Sequence, residues 1–287
     1  MTSKDNLLLQ PYTISRATYK CGAVERKLLF FGALQIQKSK TAKNPNITEY
    51  SAEFSMAELL SSLGMSKNNG NKELIKKAVA TIADNKIILY EDQTNIDVIN
   101  WIQRGIVKDN TVTLIFSNPV GELFFNCKDR FSAINPLVIG SLKSYYSMRY
   151  YELALSYRGY AGKNGNKINQ WYFSYSLDDL RTIFKCDAYQ YDNGTRDFIK
   201  KVVKNPIDEL NANNDEFSIM IDTIKDPNDA RRTTGIKFLC TRTTAPKRAK
   251  KQRIDCQAEA EAGANEYSAY LAQGGNLMQS ITRGGKQ

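Results

Sequence analysis

Histidine is absent from all 287 residues. That absence removes Ser-His-Asp and Cys-His catalysis, His-ligated zinc and the histidine metal site of rolling-circle nickases. The five cysteines (Cys21, Cys127, Cys186, Cys240, Cys256) are scattered, odd in number and never spaced CxxC. They read as reduced core fillers of a chain kept in a reducing cytoplasm, and argue against zinc. No GxxxxGK[ST] loop occurs, so no nucleotide-driven motor is visible. No apolar stretch approaches the roughly eighteen residues of a membrane span, and the three leucines of MTSKDNLLLQPYTIS are too few for the core of a signal peptide. Without a histidine metal site, the sixteen tyrosines read as packing and stacking residues rather than nicking nucleophiles. The acidic pairs Asp178–Asp179 and Asp215–Glu216 fall at expected caps and turns, where carboxylates serve structure. Neither an enzyme nor a cofactor is expected.

Positive charge is plentiful. Lysine and arginine exceed the acids by ten, and the pI is near 9.2. That balance suits a polyanion, either nucleic acid or an anionic membrane surface. With 42% hydrophobic and 24% charged residues the chain is globular in composition and long enough for two cores.

Two segments read almost alike: NGNKELIKKAV (Asn69–Val79) and NGTRDFIKKVV (Asn193–Val203), identical at six of eleven positions. Their surroundings repeat too. The helical pattern VERKLLFFGALQIQ, the loop KSKTAKNPN, the strand EYSAEF, a capping box at Ser55 and Glu58, and the turn SKNNGN lead into the first copy, a helix over roughly Lys72–Asp84. KIILYE, VINWIQRGIVKDN and TVTLIFS then look like a small antiparallel sheet. In the second half an amphipathic helix over Ser141–Arg158, the loop GYAGKNGNKINQ, the strand WYFSYS, a cap at Ser176 and Asp179, and the turn YQYDNG lead into the second copy. EFSIMIDTI and TTGIKFLCT, joined by KDPNDARR, close it as a hairpin. The order is that of a winged helix-turn-helix, given twice, so the predicted fold is α+β with tandem winged-helix domains related by an internal repeat. The expected divisions are 1–134, 135–245 and a basic tail over 246–287.

At about 100° per residue, Arg196, Lys200, Lys204 and Lys201 fall within an arc of roughly 140°, opposite Phe198, Ile199, Val202 and Val203. In the first copy Lys72, Lys76 and Lys77 oppose Leu74, Ile75, Ala78 and Val79. A helix with such a cationic stripe, after a capped helix and a turn, suits the DNA major groove. A solvated face would look similar, but repetition in the same slot beside a basic hairpin favours DNA. Thr195 joins the candidate readers, Pro206 is expected to kink or end the second helix near Lys204, and Arg231, Arg232 and Lys237 place charge on a wing. Arg149 lies in too apolar a helix for more than a structural role.

ERKLLFFGALQIQ, SLKSYYSMRYYELALSYRG, FSYSLDDLRTIFK, FIKKVVKNPIDELN and TGIKF together resemble the Rep family of iteron-plasmid replication initiators, over roughly residues 10–242. The resemblance implies two winged-helix domains that bind direct repeats of double-stranded origin DNA as a monomer. It also implies a homodimer, formed through the first domain, that represses its own gene at an inverted repeat, and recruitment of the host replication initiator and replicative helicase in the bacterial cytoplasm, without DNA cutting and without a membrane. It places the second recognition helix over Thr195–Lys204. A winged-helix repressor with no replication role, and a basic RNA-binding or membrane-surface protein, remain as alternatives. The second copy, with Thr195 and Arg196, is expected to read sequence; the first, poor in long side chains, to share its work between DNA backbone and dimer partner.

Overall fold

In the computed structural model, residues 7–39, 49–127, 130–158, 169–186 and 194–243 are described. Most of the expected loops KSKTAKNPN and GYAGKNGNKINQ, most of the turn YQYDNG, and the tail 246–287 lie outside them.

The two halves repeat one topology. In the first, α2 (Ala23–Ser39), β2 (Ser51–Ser55), α3 (Met56–Ser62) and α4 (Asn69–Asp84) precede β5 (Ile102–Lys108) and β6 (Thr111–Phe116). In the second, α7 (Tyr145–Arg158), β8 (Gln170–Ser176), α8 (Leu177–Phe184) and α9 (Thr195–Phe198), with its continuation, precede β9 (Phe217–Asp226) and β10 (Asp229–Arg242). Both sheets have the last strand in the middle, in the orders β2-β6-β5 and β8-β10-β9, and are antiparallel. These are two winged-helix domains. The first half departs from the repeat by an insertion: β3 (Lys86–Glu91) and β4 (Ile96–Asn100) form a separate two-stranded sheet, so the single sheet expected there is two. Tyr90–Asp97 belongs to a second compact unit; within it the Asp92 carboxylate accepts from the Thr94 and Asn95 N–H groups.

Local chemistry sets the helix starts. Asn68 accepts from the Asn71 N–H at 2.7 Å to begin α4. Ser55 accepts from the Glu58 N–H at 3.1 Å to begin α3. Of these three caps, only that at Ser176 is a reciprocal box, the one expected at Ser55 and Glu58 being half of one: the Ser176 hydroxyl accepts from the Asp179 N–H at 3.0 Å while Asp179 accepts from the Ser176 N–H. Ser176→Ala is expected to lower the unfolding free energy by about 1 kcal/mol, read as a shifted urea midpoint at unchanged slope.

The amino-terminal lead-in is not the polar segment its letters suggest. β1 (Leu8–Pro11) pairs with β7 (Phe131–Ile134), α1 (Tyr12–Arg16) follows, and Leu8, Gln10, Ile14 and Tyr19 are all 0% exposed. α5 (Asn118–Phe125) and α6 (Pro136–Ser141) also lie in a stretch the periodicity left unread. The long helix expected from Ser141 begins at Tyr145, and it is buried on every side rather than amphipathic. The reason is its place. α7 packs against α1 and β7 as well as against β8 and α10 (Asn205–Asn213) of its own winged helix.

A charged network fills the seam between α7 and the first half. Glu152, on α7, binds Arg26 of α2 at 2.6 Å and Arg149 one turn before it at 3.1 Å, with all three side chains fully buried. Arg149 also donates to the Tyr19 hydroxyl at 2.7 Å and to the Ala17 carbonyl at 2.8 Å, a structural role as expected from the sequence. Burial raises the Tyr19 pKa well above its ordinary value, outweighing the neighbouring arginines, so the phenol stays neutral. At the start of α7, the Glu209 carboxylate of α10 accepts from the Lys143 N–H at 2.6 Å and the Ser144 N–H at 3.1 Å, capping one helix from another.

Candidate nucleic-acid interface

Helix α8 ends at Lys185 in the left-handed conformation, and Gly194, at φ 78°, immediately precedes α9. The helix then runs without a break through a π-helical turn, Ile199–Lys204, into α10. Phe198, Ile199, Val202, Val203, Ile207 and Leu210 dock one side into the core. Arg196, Lys200 and Lys204 stand exposed on the other. Pro206 does not end the helix, one of the two outcomes expected of it; the ladder instead changes at Lys204, where the π turn closes, and the proline sits buried in the first turn of α10. There its missing N–H costs least, because the chain has already left the α-ladder.

Facing this helix, β9 and β10 form the wing. The acids of its tip build the turn: Asp226 accepts from the Asn228 N–H at 2.9 Å and Asp229 from the Arg231 N–H at 2.9 Å. Asp226 also lies 3.7 Å from the Arg232 guanidinium. Between helix and wing opens a groove of about 860 Å³. Six cationic side chains line it (Arg181, Arg196, Lys200, Lys204, Arg231 and Arg232) against two acidic ones, Asp178 and Asp208. Thr195 lines it as well.

The sequence candidates therefore divide. Thr195, Arg196, Lys200, Lys204, Arg231 and Arg232 converge on one groove. Lys201 lies outside its lining and pairs with Asp197 at 2.9 Å. Lys237 is on the outer face of the sheet, 5.4 Å from the centre of the Tyr172 ring. In the first half Lys72 donates to Asn110, at the tip of the β5–β6 hairpin, at 3.4 Å; Lys76 pairs with Glu73 at 2.6 Å, and Lys77 is exposed. Leu74, expected in the apolar stripe of α4, is 41% exposed, because the buried stripe there is the narrower row Ile75, Ala78, Val79 and Ile82. Arg181 was not among the candidates. It lies on α8, 4.6 Å from the centre of the Phe198 ring and 3.0 Å from Asp178. Its signal was available: a cation in the last turn of the helix before the recognition helix, where a helix-turn-helix crosses the DNA backbone.

Residues 8–155 match the family described as initiator replication protein, WH1, and residues 176–240 match initiator Rep protein, WH2. The chain belongs to the initiator Rep protein family. No curated protein matches it. A crystal structure of the Pi initiator protein in complex with iteron DNA aligns with this initiator Rep chain at a TM-score of 0.57 and 15% identity, covering 85% of this chain and 100% of that one. Domains 2 and 3 of RctB align at a TM-score of 0.43 and 11% identity over 77% of this chain and 83% of that one. Among the described residues of this initiator Rep chain, no helix is long and apolar enough to cross a membrane.

Proposed function

We propose that this chain initiates plasmid replication by binding direct repeats, iterons, in double-stranded origin DNA. The observation that carries this reading is the groove between the helix that starts with α9 and the β9–β10 wing, lined by six cations, three of which form the exposed row on that helix. The Pi initiator, crystallised with iteron DNA, has the same fold, which supports the substrate. In this reading Arg196, Lys200 and Thr195 read bases; Lys204, Arg231, Arg232 and Arg181 hold phosphates. The first winged helix, within residues 1–134, adds backbone contacts through Lys72, Lys76 and Lys77 and forms the homodimer that represses the chain's own gene at an inverted repeat. The second spans 135–245, and 246–287 is a basic tail. Bound to the origin, the monomer promotes opening and recruits the host initiator and replicative helicase. It does not cut DNA itself.

Footprinting on the direct repeats beside its own gene, across a salt series, tests the proposal. Observed affinity is expected to fall steeply with salt, by roughly 0.9 in log–log slope for each neutralised phosphate. Arg231→Ala and Arg232→Ala should each flatten that slope by about one and weaken binding to all duplexes alike. Equal affinity of the wild type for the repeats and for a scrambled duplex would overturn it.

A further inference from the structure

The recognition helix does not follow one ladder. In the π-helical turn Ile199–Lys204 the Asn205 N–H reaches back five residues to the Lys200 carbonyl. A π turn is rare and is found frequently at functional sites. Its consequence here is rotational. In a regular α-helix each step of four residues advances about 40°, so a row at 196, 200, 204 and 208 would turn by roughly 120° along its length. All four of these residues nevertheless line the same groove. The wider turn, with its extra residue, takes up part of that rotation, while Val202, Val203 and Ile207 stay in the core.

Pro206 is what makes a regular helix unfavourable here. In an α-ladder it would forfeit a hydrogen bond and press its ring against the carbonyl four residues back, that of Val202. With a π turn directly ahead, the bonds reach five residues back instead of four, which changes the carbonyl register the ring meets. We propose that Pro206 is a positioning residue for DNA recognition: through the π turn, it sets the direction in which Arg196 and Lys200 meet the bases and Lys204 the backbone, without touching DNA. This rests on the functional reading above and sharpens it, since it assigns sequence discrimination to a buried residue.

Two variants test it. Pro206→Ala removes the obstacle to a regular helix. Deletion of Lys201 removes one residue from the wide turn and returns it to α-helical length with both flanks in place. Each is compared with the wild type for binding to a duplex that the wild type has selected from a randomised library, and to a scrambled duplex of equal length. Thermal unfolding is followed in parallel. The expected result is near-wild-type binding to the scrambled duplex and a selected-to-scrambled ratio reduced about five- to 150-fold, the worth of one misplaced base contact. If the deletion does not fold, Pro206→Ala alone decides. A folded Pro206→Ala that keeps the full ratio overturns the inference and leaves the functional reading standing. A wild type that selects no duplex overturns the functional reading first.

Discussion

Replacing Glu152 by alanine is expected to destabilise the protein by about 3–5 kcal/mol. Its carboxylate is the shared partner of Arg26, at 2.6 Å, and Arg149, at 3.1 Å, and none of the three side chains reaches solvent. The pair energy is not what makes the loss large. Alanine would leave two guanidinium ions facing one another where water does not enter, and uncompensated buried charge is the expensive state. Glu152→Gln should cost less, because the amide oxygen still accepts one of the guanidinium donors. Urea denaturation of both variants measures the order. A loss under about 1 kcal/mol for alanine would mean that the seam admits water and the network is screened like a surface pair.

The second large effect falls on DNA. Arg196→Ala with Lys200→Ala should weaken binding to a selected direct-repeat duplex by roughly 2–6 kcal/mol if the two contributions add. The basis is placement: both side chains are exposed on the groove side of a helix whose other side is fixed by Phe198 and Val202. The scrambled duplex should lose much less, because four further cations still line the groove. Anisotropy titrations on the two duplexes at one salt concentration give the comparison. An equal loss on both would make these residues phosphate contacts only.

Much of this fold is legible in the letters because it is local. The Ser176–Asp179 box, the β-branched strands of both sheets and the cationic stripe after Gly194 each declare themselves within a few residues. What was hidden depends on distant partners. Arg26 and Glu152 lie 126 positions apart, and nothing in ERKLLFF or YYELAL says that two charges will meet in the dry. Helix α7 was read as amphipathic because a one-sided stripe is the usual state of a helix at the edge of one domain; its second side is covered by the other half of the chain. LLLQ reads as a lead-in until its partner strand, at least 120 residues away, is known. Pro206 was read by the rule for α-helices, which does not anticipate a π turn. The site candidates drawn from helical phase divided because phase locates a side chain but not its partner: Lys201 sits on the cationic arc, and its i, i+4 neighbour Asp197 pairs with it.

In the proposed reading of the groove, its two carboxylates, Asp178 and Asp208, have a consequence for the search along DNA. Their repulsion acts on every phosphate backbone alike, whatever the sequence. Affinity for wrong sites therefore falls by the same factor as affinity for right ones: the ratio between them is kept, while every complex is released sooner. In a cell, competing sites number roughly 10⁶–10⁹, and occupancy follows the ratio of affinities rather than the tightest one. A groove of unrelieved positive charge would strand the protein on chromosomal DNA. A groove with two acids among its cations trades grip for release, and under the proposed function the time saved on wrong sequence is time available at the origin.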